Sequence, residues 1–513
     1  MTESPVLLAE LMAALSLATD LGMGQPVEFA WQSCVVAMRL GEALKFSDAE
    51  LRSVYYQSLL RYIGCNAETR LLAAVFGDEL ALRADIIHAD ASGPEFRALS
   101  LRFIREANAG ANPLQMLTAV VGGLAKMTQA SREFYSGHCE VAGRLAERLG
   151  LEPDVVTALR QVYARWDGRG TPALKGEDVA PGMLAVSLAQ DAVYLNRLGG
   201  LEATLATVKQ RSGTLYAPAQ VEVFCRLAAE LLADDEPDWQ TIVALEPGRR
   251  RGLTPAEFDA ACAAIADYAD IKSPYLVGHS AGVARLAEAA ARGAGLPEAD
   301  ATALRRAGWL HDLGRVGVSA GIWGKPGPLT EREWEKVRLH AYHTERILAR
   351  PPALAQLGAL AAQHHERLDG SGYHRQAQAG ALSPAARLLA AADVYQALTE
   401  PRPHRAAHTP ESAAEVLKAE GRAGRFDPQA VSAVLAAAGQ GQPSKRNALV
   451  AGLSEREVEV LRLVARGHSI KVIAQQLQLA PKTVDNHIQH LYIKAGVTTR
   501  AAATLFAMEQ GLL

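Results

Sequence analysis

The sequence predicts an all-α protein, and three observations carry that prediction. Apolar residues recur at helical spacing almost throughout: Val283, Leu286, Ala287 and Ala290 form one stripe, and Val458, Leu461, Val464 and Ala465 another. Aromatic residues make up only 6% of a chain in which alanine abounds, a balance that suits helices over strands. No sustained alternation of apolar and polar residues bounded by hairpin turns interrupts the pattern. With 513 residues, 49% hydrophobic and 21% charged, the chain has the length and balance of two to four globular domains.

Two breaks place the domains. Asp234-Asp235-Glu236-Pro237 and Pro247-Gly248-Arg249-Arg250-Arg251-Gly252 bracket a polar connector near 234–254. Gly439-Gln440-Gly441-Gln442-Pro443-Ser444 reads as a flexible linker. The expected domains are 1–233, 255–433 and 451–513. The first two look like copies of one another. Trp309-Leu310-His311-Asp312-Leu313-Gly314-Arg315 is echoed by Leu59-Leu60-Arg61-Tyr62-Ile63-Gly64-Cys65, and Arg367-Leu368-Asp369-Gly370-Ser371-Gly372 by Arg165-Trp166-Asp167-Gly168-Arg169-Gly170. His340 to His364 and His138 to Val162 are both 24 residues apart, as are Asp369 to Asp393 and Asp167 to Asp191. Two agreements in register point to duplication.

Charge and cysteine usage narrow the setting. The net charge is −3 overall, so nothing global points to a polyanion. From Lys445 to Leu513, however, nine basic and five acidic residues give +4, and a nucleic-acid partner is to be sought there. Cys34, Cys65, Cys139, Cys225 and Cys262 are scattered and odd in number, which fits a reducing, cytoplasmic setting rather than a disulfide framework. Met1 to Glu10 lacks a basic n-region. The uncharged run Ala107 to Ala125 contains Asn108, Asn112, Pro113 and Gln115, so no membrane span is expected.

Nine of the fourteen histidines fall between His279 and His408. His279, the pair His311-Asp312, His340, the pair His364-His365, and Asp393 offer imidazole and carboxylate without thiolate. That donor set suits borderline divalent metals such as iron, manganese, nickel, cobalt or zinc. Seven ligands with one shared aspartate suffice for two ions and a bridging water, an arrangement suited to phosphoryl displacement. Burying so many polar side chains without metal or partners would be costly.

These residues resemble the HD-GYP phosphohydrolases of the HD superfamily. The motif order is His279; His311-Asp312-Leu313-Gly314-Arg315; His340; His364-His365-Glu366-Arg367-Leu368-Asp369-Gly370-Ser371-Gly372-Tyr373-His374; and Asp393-Val394. The resemblance, over about 270–410, implies a helical bundle binding two or three divalent ions, iron or manganese foremost, and hydrolysis of cyclic di-GMP to pGpG or GMP. It makes Asp312 and Arg315 catalytic, and places Arg315, Gly372, Tyr373 and Arg402 around the substrate. Three departures stand out. Arg315 replaces the family's phosphate-contacting lysine, His374 replaces a proline, and Tyr275 stands where members with a third metal carry glutamate, which favours a binuclear site. The first region resembles the same fold with its chemistry removed, since Arg61, Tyr62, Val162 and Tyr163 occupy ligand positions. Arg61 to Val162 spans 101 residues against 53 from His311 to His364, so about 48 extra residues fall within 66–130.

From Leu453 onwards, Ser454 followed by Glu457 forms a capping box, Gly467-His468-Ser469 a turn, Ile470 to Leu477 a helix, and Pro481 to about Lys494 another. The stretch closely resembles the LuxR-type (GerE-like) helix-turn-helix. That implies duplex DNA as partner, with Lys482, Thr483, Asn486 and His487 at the groove and Lys471 and Arg500 on phosphates, acting as a homodimer. The whole chain is thus expected to be a cyclic-dinucleotide phosphodiesterase coupled to a DNA-binding output. The alternatives are a nucleotide sensor with little turnover and a phosphohydrolase for another phosphate ester.

Overall fold

The computed structural model describes residues 6–86, 89, 94–233, 236–440 and 450–513. Among them no strand forms. Extended chain survives only as isolated bridges, such as Tyr163 with Thr171 and Asp369 with Gln378. None of the described helices is long and apolar enough to cross a membrane. Two compact units divide the chain, Met1–Phe258 and Asp259–Leu513.

In the first unit, helices Leu8–Gly22, Phe29–Ala43, Asp48–Leu60 and Pro181–Gln210 make the bundle. The expected connector does not stand apart from it. Residues 239–244 form a helix whose Ile242 and Val243 are buried. Tyr55 Oη donates to the Ile242 carbonyl at 3.0 Å and Tyr56 Oη to Glu246 at 2.5 Å. Polar composition suggested a solvated link, but two buried tyrosine hydroxyls require partners and find them there. The extra residues of this half fall in helices Thr69–Phe76, Glu79–Ile86 and Pro94–Ala107 and in the first part of the long Pro113–Arg148, whose later part carries His138. They enclose an apolar cluster of their own, Phe76, Leu82, Phe103 and Ile104.

The helix Pro255–Asp270 runs across the division into the second unit, which continues with His279–Gly293. Glu298–Leu310, Glu331–Leu348, Pro352–Ala361, Pro384–Thr399, Pro410–Arg422 and Pro428–Gln440 complete its bundle. The glycine-rich linker falls almost wholly outside the described residues. After it come Glu455–Ala465, Ile470–Leu477, Pro481–Ala495 and Arg500–Glu509, around a core of Leu453, Val458, Leu461, Val464, Ile473, Val484, Ile488 and Leu491. The capping box is present: Ser454 Oγ accepts from Glu457 N, and the Glu457 carboxylate accepts from Ser454 N.

The two bundles repeat the same local geometry at matching positions. A Cβ on Gly64 would lie 2.0 Å from the His138 carbonyl oxygen, and one on Gly314 would lie 2.0 Å from that of His340. Asp20 accepts from Ala30 N at 3.1 Å, and Asp270 from Ser280 N at 2.8 Å. Asp167 accepts from Arg169 N, and Asp369 from Ser371 N. Such idiosyncratic contacts recurring at motif positions are what a shared backbone produces.

Candidate metal centre

The His-Asp pair sits where one helix stops. Glu298–Leu310 ends with His311 as its C-cap, and Asp312 leads into a tight 3-10 turn, Leu313–Gly317. That turn is pressed onto Glu331–Leu348. Only glycine fits at 314, and Gly314 N donates to Thr344 Oγ1, which in turn donates to the His311 carbonyl. His340 lies one helical turn before Thr344. One helix face therefore supplies both a candidate ligand and the brace for the His-Asp turn.

The seven predicted ligands converge. His279, His311, Asp312, His340, His364 and Asp393 are all essentially inaccessible to solvent. The imidazoles fall into two groups: His279 and His311 with Asp312, and His340, His364 and His365. The carboxylates lie between them. Asp312 Oδ2 is 2.9 Å from His311 Nε2 and 3.5 Å from His279 Nε2, while its Oδ1 is 3.4 Å from His340 Nε2 and 3.5 Å from His364 Nε2. Asp393 divides its oxygens likewise, Oδ1 at 3.2 Å from His279 and Oδ2 at 3.9 Å from His365.

The ring tautomers are held from behind. His311, His340 and His364 each direct Nδ1 at the carbonyl three residues earlier, those of Gly308, Val337 and Ala361. Nε2 of each ring is thereby turned towards the centre. Burial brings His364 down to about 4, with Asp312 offsetting only part of it, and takes His365 well below its ordinary value, so both are neutral. Burial opposes charge on His311 too, but Asp312 outweighs it and raises His311 to about 10. Burial would raise the Asp312 carboxyl, yet Arg315 and His311 hold it well below the usual range. The potential at the centre favours a cation.

Asp312 Oδ2 lies 2.6 Å from Arg315 Nη1 and 2.9 Å from His311 Nε2, yet neither Asp312 oxygen nor His311 Nε2 completes a well-aligned hydrogen bond among the described residues. Buried polar atoms so imperfectly satisfied are costly unless a further cation completes them, and the converging imidazoles and carboxylates fit divalent metal. Around it, Arg315 is 6% exposed, lies 2.6 Å from Asp312 Oδ2 through Nη1, and packs over the Trp323 ring. Its Nε makes no hydrogen bond among the described residues. Tyr373 stacks on His365 with ring centroids 4.5 Å apart. Gly372 permits that approach, because a Cβ there would lie 2.5 Å from Glu366 Cα. His374 has φ +52, which is closed to proline. Arg402 is already engaged, with Nη1 on the Tyr275 carbonyl and Nη2 on Glu400 at 3.0 Å.

Sequence reasoning missed three residues. Glu400 accepts from His279 Nδ1 at 2.8 Å. Asp270 anchors Ser280, beside His279, through both its backbone N and its hydroxyl, and burial pushes it up to about 7. Lys272, buried, donates to the Val316 carbonyl at 2.6 Å. None has a spacing signal; each is defined by what tertiary packing brings opposite it.

In the first unit the equivalent space is filled. Tyr62, where Asp312 stands in the other copy, packs with Met23, Cys65 and Tyr163. Tyr163 Oη bonds His138 Nδ1 at 3.0 Å and Cys65 Sγ at 3.1 Å. Burial takes His138 down to about 3. Asp191 accepts from Tyr216 Oη at 2.5 Å, and Arg61 Nη1 donates to Ser187 Oγ at 2.6 Å. The two surviving ligands are thus bound into separate contacts.

In the C-terminal module, Lys482, Asn486 and Lys471 are exposed, and Thr483 and His487 are half-buried on the helix Pro481–Ala495. Lys482, 80% exposed, pairs with Asp485 at 3.0 Å. Arg500 instead turns inward, with Nη1 donating to the His468 carbonyl at 2.9 Å.

Residues 263–430 match the family described as HD domain, and 451–507 match bacterial regulatory proteins of the luxR family. The chain is 29% identical to the 3'3'-cGAMP-specific phosphodiesterase 3 of Vibrio cholerae, over 83% of this chain and 94% of that protein. It is 38% identical to the cyclic di-GMP phosphodiesterase response regulator RpfG of Xanthomonas campestris, over 28% of this chain and 38% of that one. The crystal structure of a cyclic GMP-AMP specific phosphodiesterase of V. cholerae, V-cGAP3, superposes with a TM-score of 0.57 at 27% identity, covering 86% of this chain and 99% of that one.

Proposed function

We propose, for a chain that carries an HD domain followed by a luxR-family domain, a metal-dependent phosphodiesterase of cyclic dinucleotides joined to a DNA-binding output. One observation carries the enzymatic half: two buried aspartates, each dividing its oxygens between two groups of imidazoles. His279, His311, Asp312, His340, His364, His365 and Asp393 would hold two ions. Bound there, such ions lower the pKa of a water and polarise phosphoryl oxygens.

The chain's own groups supply the rest. Asp312 and Asp393 hold the two halves of the ligand set at one spacing. Arg315 offers an unused Nε–H beside them, suited to a phosphate oxygen. Tyr373 stacks on His365 and meets the His340 ring edge-on, bracing two of the imidazoles. In the reaction, one P–O ester bond of the ring is exchanged for a bond to the water oxygen, and the released sugar oxygen takes a proton.

The relative matched over most of the chain is specific for 3'3'-cGAMP, while several shorter matches act on cyclic di-GMP. Both substrates therefore belong in one assay. Anaerobically purified protein is analysed for metal and then given each dinucleotide in single-turnover amounts. Bound metal with a linear product supports the proposal; metal without product from either dinucleotide would refute it. Tight binding without turnover would favour the second reading, a nucleotide sensor, for which the engagement of Arg315 with Asp312 speaks. For the output, Lys482, Thr483, Asn486 and His487 on one helix face, as a pair of copies, suit two half-sites about one helical turn apart. Band-shift assays on genomic fragments, with and without 451–513, test this.

A further inference from the structure

His279 differs from the other ring-anchored histidines in what holds it. His311, His340 and His364 each use a carbonyl of the preceding helical turn. His279 is the first residue of its helix, following Gly278 in the left-handed conformation. No preceding turn of that helix exists to offer its ring an acceptor. Its Nδ1 instead donates to Glu400 Oε2 at 2.8 Å, just beyond the helix Pro384–Thr399 that carries Asp393.

Glu400 is itself tightly held. Gln396 Nε2 donates to its Oε1 at 2.8 Å, and Arg402 Nη2 donates to its Oε2 at 3.0 Å. Gln396 lies flat against Gly282 of the His279 helix, where a Cβ would come within 2.5 Å of its side chain. Arg402 is fixed at its other end by the Tyr275 carbonyl, four residues before His279. Glu400 therefore joins a candidate metal ligand to a guanidinium that interacts electrostatically with Arg315, Asp312 and Asp393.

Resting on the binuclear reading above, we propose that Glu400 is a positioning residue for one ion of the pair. It fixes the His279 tautomer with Nε2 inward, and it strengthens the pocket of His279, His311, Asp312 and Asp393 relative to that of His340, His364 and His365. A carboxylate behind a metal-bound imidazole raises ligand basicity more than a neutral carbonyl does, and losing such a partner typically costs about 10–100-fold in metal affinity. The two sites accordingly fill at different metal concentrations, the Glu400-backed one first. The same carboxylate holds Nη2 of Arg402, so its loss releases that nitrogen while Nη1 stays on the Tyr275 carbonyl.

The test is a manganese(II) titration of the metal-free, full-length protein by equilibrium dialysis, with thermal unfolding of the metal-free form beside it. Wild type binds two equivalents, the first more tightly. Glu400→Ala weakens the tighter equivalent by about 10–100-fold, leaves the other within about threefold, and does not change the metal-free melting temperature. Glu400→Gln, which retains an acceptor oxygen without the charge, falls between. His364→Ala, from the opposite pocket, removes the weaker equivalent instead. Unchanged affinity in Glu400→Ala would overturn the inference, as would equal weakening of both equivalents with a lowered metal-free melting temperature. If wild type takes up no manganese, the binuclear reading itself fails and carries this one with it.

Discussion

Replacing Asp312 by alanine removes one oxygen from each imidazole group at once, since Oδ2 faces His279 and His311 while Oδ1 faces His340 and His364. The expected outcome is loss of both metal equivalents by elemental analysis. Turnover should fall by well over the roughly 10–100-fold typical of losing a hydrogen-bond partner behind a metal ligand. Arg315 acts differently, because its unpaired Nε and its place beside Asp312 suit it to a phosphate oxygen. Arg315→Ala should keep the metal and lower kcat/KM by about 10–150-fold, the worth of one charge-assisted hydrogen bond. Arg315→Lys should recover only part, since a point charge does not reproduce a planar fork. Steady-state kinetics at matched metal occupancy distinguishes these cases; metal loss in Arg315→Ala would show that it shapes the centre instead.

Each pair of elements has its own weak point. The 3-10 turns after Arg61 and after His311 press glycines against the next helix so closely that a Cβ would lie 2.0 Å from a carbonyl oxygen in both copies. Gly64→Ala and Gly314→Ala should each cost about 1–3 kcal/mol or more, the price of overpacking against backbone, in metal-free protein followed by urea titration. An effect at only one of them would argue against a common architecture. In the C-terminal module, Glu457 caps its helix through Ser454 and pairs with Lys494 at 2.7 Å. Partial burial would raise its carboxyl, but Lys494 and Ser454 outweigh that and lower it to about 2, against an ordinary 4.5. A depressed folded-state value means that the stabilisation is fully present above about 4.5 and is lost as pH falls towards about 2. Glu457→Ala should therefore cost about 1–2 kcal/mol at pH 7 and flatten that acid limb. A variant with the same pH dependence as wild type would assign the limb to other carboxylates.

For the whole molecule, the question is what a duplicated bundle contributes once its centre is filled with tyrosines. With Tyr62, Tyr163 and Cys65 packed around His138, and Asp191 bonded to Tyr216, the first unit should take up no stoichiometric metal. Metal analysis of 1–258 expressed alone checks this, and one bound equivalent would contradict it. A regulatory role makes a separate prediction. Full-length protein should bind its DNA fragment with an affinity that changes when a cyclic dinucleotide is added, and 259–513 alone should lose that change. If both respond alike, the first unit plays no part in coupling.

Much of this was written in the sequence because metal chemistry restricts residue type. Only imidazole and carboxylate in that order would place His311-Asp312, His364-His365 and Asp393 in one chain, and helical periodicity with capping signals such as Ser454 and Glu457 is local enough to read without a fold. The duplication was legible for the same reason, since glycines at 64 and 314 persist where backbone contact leaves no alternative. What only the tertiary structure decided is what faces what across sequence gaps. The division of each aspartate between two imidazole groups, the seating of Glu400 behind His279, the inward turn of Arg500 and the folding of the 234–254 region onto buried tyrosines all join residues whose separation carries no periodic signal. Local sequence sets which groups can bond. Chain packing sets which of them meet, because a hydrogen bond or a ligand contact is decided within about 3 Å, while sequence spacing constrains position only along a single element.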